Sequence, residues 1–288
     1  MSYQSINPNY GELVKSFDEH TDQQLETAIA TAATCFDTWR MLTFAQRAVI
    51  VAKAAAIMRD RAEEFARPVT LEMGKLFAES VGEVMLSADI LDYYATNAER
   101  FLAPETLKPE SGEAVVESSP LGVLFGVQPW NFPYYQLARF AGPNLMAGNV
   151  VMVKHSGTVP QCAIAFEQLW REAGAPEGTY TNLLISHDQV LAVIDDRRIR
   201  GVALTGGVSA AKGVAERAGK NVKKSTMELG GSDAFIVLEN ADLEKTLTWA
   251  VWAKMNNMGQ CCIAGKRFIV VEKLHDRFLA QFQTALAA

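Results

Sequence analysis

The 288-residue chain has only four cysteines, Cys35, Cys162, Cys261 and Cys262. At this length that is too few for a disulfide framework, so the thiols are left for other chemistry. No run of about 18 apolar residues occurs, so no segment is built to cross a bilayer as a helix. The opening stretch MSYQSINPNYGELVKSF lacks the apolar core of a secretory signal. Basic residues do not prevail: 27 Lys and Arg stand against 33 Asp and Glu, a net charge of −6. That balance disfavours nucleic acid or an anionic membrane as partner. Neither G-x-G-x-x-G nor a Walker-type phosphate loop is present. Adjacent Cys261 and Cys262, without a second cysteine pair or nearby histidines, lack the ligand spacing of a zinc site, so no metal is expected. What is there is a chain 49% apolar and 21% charged, expected to be globular, cytoplasmic and directed at a small molecule.

Helical and extended patterns divide it. Leu25, Ile29, Ala32 and Phe36 share one helical face, as do Ile50, Ala54 and Ile57, and then Val81, Val84, Ala88, Leu91 and Ala95. Three amphipathic helices are therefore expected before residue 103, with Thr21-Asp22 capping the first. From Pro104 the texture turns β-branched, broken by Ser111-Gly112 and Ser119-Pro120, which predicts a hairpin over 104–124. Short continuous apolar runs at 122–127, 150–154, 181–185, 201–205 and 234–238 then alternate with helical patterns at 161–172, 188–195, 209–218 and 243–254. This predicts an α/β fold with a parallel sheet covered on both faces. Ligands of such sheets bind at the carboxyl ends of the strands.

Three segments carry chemistry. Cys262 lies in Met258-Gly259-Gln260-Cys261-Cys262-Ile263-Ala264. The flanking glycines, Gly259 and Gly265, let another molecule approach the backbone. A thiol becomes a nucleophile as its thiolate, so it needs a base or a site that favours ionisation. Cys261 leaves open which thiol is presented, and the two could close a strained, reversible disulfide. Glu228 stands in Thr226-Met227-Glu228-Leu229-Gly230-Gly231. Enclosure among such residues would disfavour its charged form and strengthen it as a general base. Asn131 lies in Pro129-Trp130-Asn131-Phe132-Pro133, where prolines fix the backbone and aromatics anchor the loop. Its amide can donate to a developing oxyanion. A soft nucleophile, a carboxylate base and an amide donor are the set that makes and hydrolyses a thioester. Cofactor signals are weaker. Lys154, Ser156 and Gly157 follow the run at 150–154, and Gly206-Gly207 open the helix at 209–218, whose free N–H groups and dipole suit a pyrophosphate.

With PWNFP, the Lys154 strand end, LTGG at 204–207, MELGGSDAFIV at 227–237 and NMGQCCIAGKRFIVVE at 257–272, the chain resembles an aldehyde dehydrogenase throughout its length. The resemblance implies Cys262 as nucleophile, Glu228 as base and Asn131 as oxyanion donor. It puts Trp130, Lys154, Ser156, Gly157, Gly206, Gly207 and Leu229 at cofactor-contact positions. It implies a Rossmann-like NAD(P)-binding domain over 1–103 and 125–227, a bridging hairpin at 104–124 that pairs subunits into a homodimer or homotetramer, and the first part of a catalytic α/β domain over 228–288. Within the family the chain is most similar to succinate-semialdehyde dehydrogenases, because Arg139, eight residues after Asn131, matches the arginine that holds the substrate carboxylate.

Departures qualify the resemblance. Asn256 stands where some of those enzymes carry a second arginine. His155 replaces a proline after the strand lysine, and Ala211 stands where a glycine often closes the turn that Thr205-Gly206-Gly207 opens. Gly157 replaces a glutamate that binds the adenosine ribose in NAD-specific relatives. Loss of that carboxylate removes repulsion of a 2′-phosphate, so NADP is expected beside NAD. The stripe Leu274, Phe278, Phe282, Leu286 runs to the last residues without a stop signal, so the chain is expected to be a piece of a longer protein, poorly soluble or inactive alone. Two other readings were open: a catalytically silent cofactor-binding module, and an acylating relative passing the thioester to coenzyme A, which a hydrolytic Glu228 opposes.

Overall fold

Tyr3–Asn7 (β1) and Glu12–Phe17 (β2) open the chain as an antiparallel hairpin with a register shift between Ser5 and Ile6. Four helices follow: Asp22–Trp39 (α1), Phe44–Asp60 (α2), Ala62–Met73 (α3) and Phe77–Phe101 (α4). The expected cap holds: Thr21 Oγ1 accepts from the Gln24 N–H at 3.2 Å, and Gln24 Oε1 accepts from the Thr21 N–H at 2.8 Å. Thr43 and Gln46 repeat the device at α2. One of the four helices, α3, was not expected. Pro68 and its charged neighbours hide a stripe, Phe65, Ala66, Val69 and Met73, that the structure buries. The computed structural model describes residues 3–287 and divides into two units, Met1–Glu228 and Leu229–Ala288.

The first unit is organised by a five-stranded sheet. Its strands are Val123–Val127 (β5), Val150–Lys154 (β6), Tyr180–Asn182 (β7), Ile199–Gly206 (β8) and Lys224–Leu229 (β9), in the order β7-β6-β5-β8-β9. The pairs β5–β6, β5–β8 and β6–β7 are parallel. Val150, Val151, Met152 and Val153 are each fully buried. Successive strand residues point to opposite faces, so both faces of the sheet are covered. Pro133–Met146 (α5), Pro160–Ala173 (α6), His187–Asp195 (α7) and Val208–Lys220 (α8) connect the strands, and α4 packs on α5. Glu105–Leu107 (β3) and Ala114–Val116 (β4) pair as the expected hairpin, exposed along its length.

Lys224–Leu229 reads as polar in sequence, yet it forms the sheet edge β9, where exposure tolerates lysine and glutamate. The run at 234–238 does not join this sheet. Asp233–Val237 (β10) instead pairs in parallel with Gly265–Val270 (β11) in the second unit. There Leu243–Met255 (α9) and Glu272–Ala287 (α10) pack on the small sheet around Val237, Leu243, Ala250, Phe278 and Phe282. The spacing of four works as expected at Phe278 and Phe282, whose rings meet at 5.4 Å, whereas Leu286 is exposed. Among the described residues no helix is long and apolar enough to cross a membrane.

Candidate functional site

Three loops leave the first sheet side by side. Val127, the last residue of β5, is in register with Lys154 of β6 on one side and Leu204 of β8 on the other. The PWNFP loop, the Lys154–Gly157 loop and the Gly206-Gly207 turn therefore start from adjacent strand ends, where ligands of parallel sheets collect.

Trp130 is exposed and Asn131 half-buried, directly before α5, whose first turn contains Pro133. The start of α5 is held from below. Glu83 Oε1 accepts the backbone N–H groups of Tyr134 and Tyr135 at 2.8 and 3.2 Å. Its other oxygen pairs with Lys75, both side chains being buried, and the Lys75 ammonium sits 3.9 Å from the centre of the Phe132 ring. Burial pushes the Glu83 carboxyl up, against the pull of Lys75 and of the two N–H groups. The Lys154 loop is held in the same way. Glu72 accepts the N–H groups of Gln161 and Cys162 at 2.9 and 3.1 Å, in the first turn of α6. Burial raises this carboxyl too, opposed by those bonds.

Lys154 is half-buried, and burial lowers its pKa. Its ammonium lies 5.4 Å from the Tyr3 ring. Tyr3 is anchored in turn: its hydroxyl donates to Ile185 O at 2.8 Å, accepts from Ile185 N–H, and is pushed up to about 12 by burial. Ser156 shares a 3.0 Å hydrogen bond with Thr158. A Cβ at Gly157 would meet only the Tyr3 ring, at 3.8 Å. His155, which follows Lys154, is buried, and its Nδ1–H donates to Gln128 O at 3.2 Å. Burial lowers its pKa to about 4. At the β8 end, exposed Gly207 is the N-cap of α8, no side chain caps that helix, and a Cβ there would meet nothing within 4 Å.

Arg139 and Glu228 come together. Arg139 Nη2 lies 3.5 Å from Glu228 Oε2, with its guanidinium 5.7 Å from the Tyr135 ring. Both line a cavity of about 320 Å³ with Gln128, Gln136, Thr205 and Thr226. The enclosure expected around Glu228 is not found: its side chain is 52% exposed. It stands near the end of β9, the last strand of the sheet, whose residues are mostly exposed.

Cys262 and Leu229 belong to the second unit. All four cysteines are free, Cys35 and Cys162 being buried. Asn257, Met258 and Gly259 occupy left-handed backbone in succession, with φ of 52°, 56° and 76°. For the first two this is strained geometry of the kind that gathers at functional turns. Lys266 Nζ fastens the turn by donating to the carbonyls of Cys261, Cys262 and Ala264 at 3.1, 2.7 and 3.4 Å. Burial pushes the Cys261 thiol up, which disfavours it as a thiolate.

Sequence reasoning missed Tyr3, Glu72, Lys75 and Glu83. The one signal was polar residues, Ser80, Glu83 and Ser87, on the buried side of α4.

The aldehyde dehydrogenase family matches residues 1–288. A succinate-semialdehyde dehydrogenase [NADP(+)] of Deinococcus radiodurans is 44% identical over 99% of this chain and 60% of its own length. A probable one of Synechocystis is 42% identical over all of this chain and 63% of its own. Among solved structures, that of Gox0499, studied for cofactor and substrate selection, superimposes with a TM-score of 0.99 at 49% identity, over all of this chain and 63% of that one. The NADP+ complex of succinic semialdehyde dehydrogenase from Streptococcus pyogenes gives 0.96 at 43%, over 98% of this chain and 62% of that one. The chain thus spans a little over three-fifths of the relatives it matches. By its sequence from end to end and by its fold, it belongs to the aldehyde dehydrogenase family.

Proposed function

We propose that the protein oxidises an aldehyde to a carboxylic acid through a thioester on Cys262, using NADP or NAD, and that its preferred aldehyde carries an ionised carboxylate, as succinate semialdehyde does. The observation that carries this is the shared cavity of Arg139 and Glu228. A guanidinium able to grip a carboxylate and a group able to take a proton line one space.

The Cys262 thiolate forms a bond to the aldehyde carbon, and the carbonyl electrons move onto oxygen. The Asn131 side-chain amide and the Cys262 backbone N–H donate to that developing charge. When bound, the cofactor supplies the acceptor for the hydride that leaves the same carbon. Glu228 then takes a proton from water, whose oxygen attacks the thioester carbon. The C–S bond breaks, the acid departs and the Cys262 sulfur is released. Arg139 holds the far carboxylate throughout.

Trp130, Lys154, Ser156, Gly157, Gly206, Gly207 and Leu229 would hold the cofactor. Its fit is supported by the helix ends. Among the described residues, α5 and α6 already carry Glu83 and Glu72 on first-turn N–H groups, and these carboxylates leave no place for a phosphate. The start of α8, at Gly207, has no such side chain and suits an anion. Gly157 puts no carboxylate near a 2′-phosphate, and relatives named above are NADP(+) enzymes. The exposed Val115 and Val116 of the β3–β4 hairpin favour pairing with a second copy of the chain.

Steady-state kinetics of the full-length protein test the reading. Succinate semialdehyde should exceed an uncharged aldehyde of similar length in kcat/KM. Equality of the two would remove the substrate assignment, and no turnover of any aldehyde would remove the whole reading.

A further inference from the structure

The buried pair Lys75–Glu83 touches none of the groups given a chemical role above, yet both of its ends grip the segment that carries Asn131. The carboxylate takes the N–H groups of Tyr134 and Tyr135, and the ammonium lies against the Phe132 ring. The contacts thus bracket Pro133 and begin one residue after Asn131. All of these groups lie in the first unit. An ion pair with both side chains almost wholly buried is a poor source of stability, because desolvation of the two charges offsets their attraction. Apolar residues of similar size would fill that space at no such cost, but they could not accept two N–H groups or hold an ammonium on a ring.

We propose that Lys75 and Glu83 are positioning residues, which orient the Asn131 carboxamide toward the developing oxyanion by locking residues 132–135. The inference rests on the role given to Asn131. Its mechanism is geometric: a donor amide stabilises the oxyanion only when it is already aimed at it, and a displacement of about 1 Å can cost as much as a hundredfold in rate.

The test is a set of variants in the full-length protein, read by kcat with succinate semialdehyde and by Tm. Lys75→Met/Glu83→Leu removes both charges and both acceptors, and it should lower kcat tenfold or more. Glu83→Gln alone keeps a carbonyl for the two N–H groups and the ammonium on the Phe132 ring, and it should leave kcat within about threefold of the parent. Asn131→Ala should itself lower kcat about a hundredfold or more. In that background the Leu pair should cost less than twofold further. A merely structural role would shift Tm but leave the kcat effect independent of Asn131. If the Leu pair does not fold, Phe132→Leu, which removes only the ring beneath Lys75, should give the same dependence on Asn131. Unchanged kcat in the folded variants, or a loss that multiplies with that of Asn131→Ala, overturns the inference while leaving the oxyanion reading intact. Unchanged kcat in Asn131→Ala itself overturns that reading and this inference together.

Discussion

Arg139 is half-buried beside the base it would serve with, and its Tyr135 and Glu228 contacts set it in place without a substrate. Truncation to Arg139→Ala should raise KM for a carboxylated aldehyde about 10- to 100-fold, the worth of a charge-assisted hydrogen-bond pair, and leave an uncharged aldehyde within threefold. Equal effects on both substrates in initial-rate measurements would take Arg139 out of substrate binding. His155 makes a different kind of prediction. Its pKa falls from 6.5 to about 4 on folding, because burial disfavours the charged ring. The unfolded chain therefore binds a proton that the folded one refuses between those two values. This contribution to stability is fully present above pH 6.5 and is lost as pH falls toward 4. At about 1.4 kcal/mol per pH unit it amounts to about 3 kcal/mol over the window. Tm measured from pH 7 to 4 should fall less steeply in His155→Gln, whose side chain does not charge. A parallel fall in both would show that the histidine is not the group responsible.

At the scale of elements, helix ends decide more than helix interiors. The periodic stripes of α1, α2 and α4 were legible because they are local, and so were the Thr21–Gln24 box and the strands β5, β6 and β8. The carboxylates that cap α5 and α6 were not legible, because each comes from another helix. Glycines sort in the same way. Gly178, between α6 and β7, has φ of +88°, and a Cβ there would meet Thr31 O at 2.8 Å. Gly178→Ala should therefore destabilise by about 3 kcal/mol, seen as a lower urea midpoint with unchanged slope. Gly207 has ordinary φ and open space around it. Gly207→Ala should leave the midpoint within about 0.5 kcal/mol of the parent and raise the cofactor KM instead. The reverse pattern would mean that Gly207 serves packing and Gly178 does not.

At the scale of the whole molecule, the proposed acceptance of NADP rests on an absence at the carboxyl end of β6. Gly157 has room for a side chain, since a Cβ there would meet only the Tyr3 ring, at 3.8 Å. Gly157→Glu should therefore fold, and its carboxylate should repel a 2′-phosphate while accepting from ribose hydroxyls. The ratio of kcat/KM for NADP over NAD should drop at least tenfold in competing-cofactor assays. An unchanged ratio would place discrimination elsewhere, with Lys154 and Ser156 as the next residues to vary.

The amino-acid sequence by itself determined the α/β class, the succession of β5 to β8 with the helices α6, α7 and α8, and the chemical identities of Cys262, Glu228, Asn131 and Arg139. These depend on local period and on residue type, which survive without coordinates. Only the tertiary structure decided that β9 is a sheet edge, that Glu228 is exposed there rather than enclosed, and that Arg139 lies beside it. Only it decided that Glu72 holds a helix 89 residues further on, and that Glu83 holds another 51 residues on. Such contacts join residues with no local pattern between them. They become energetically favourable only once the packed core has removed water from both partners.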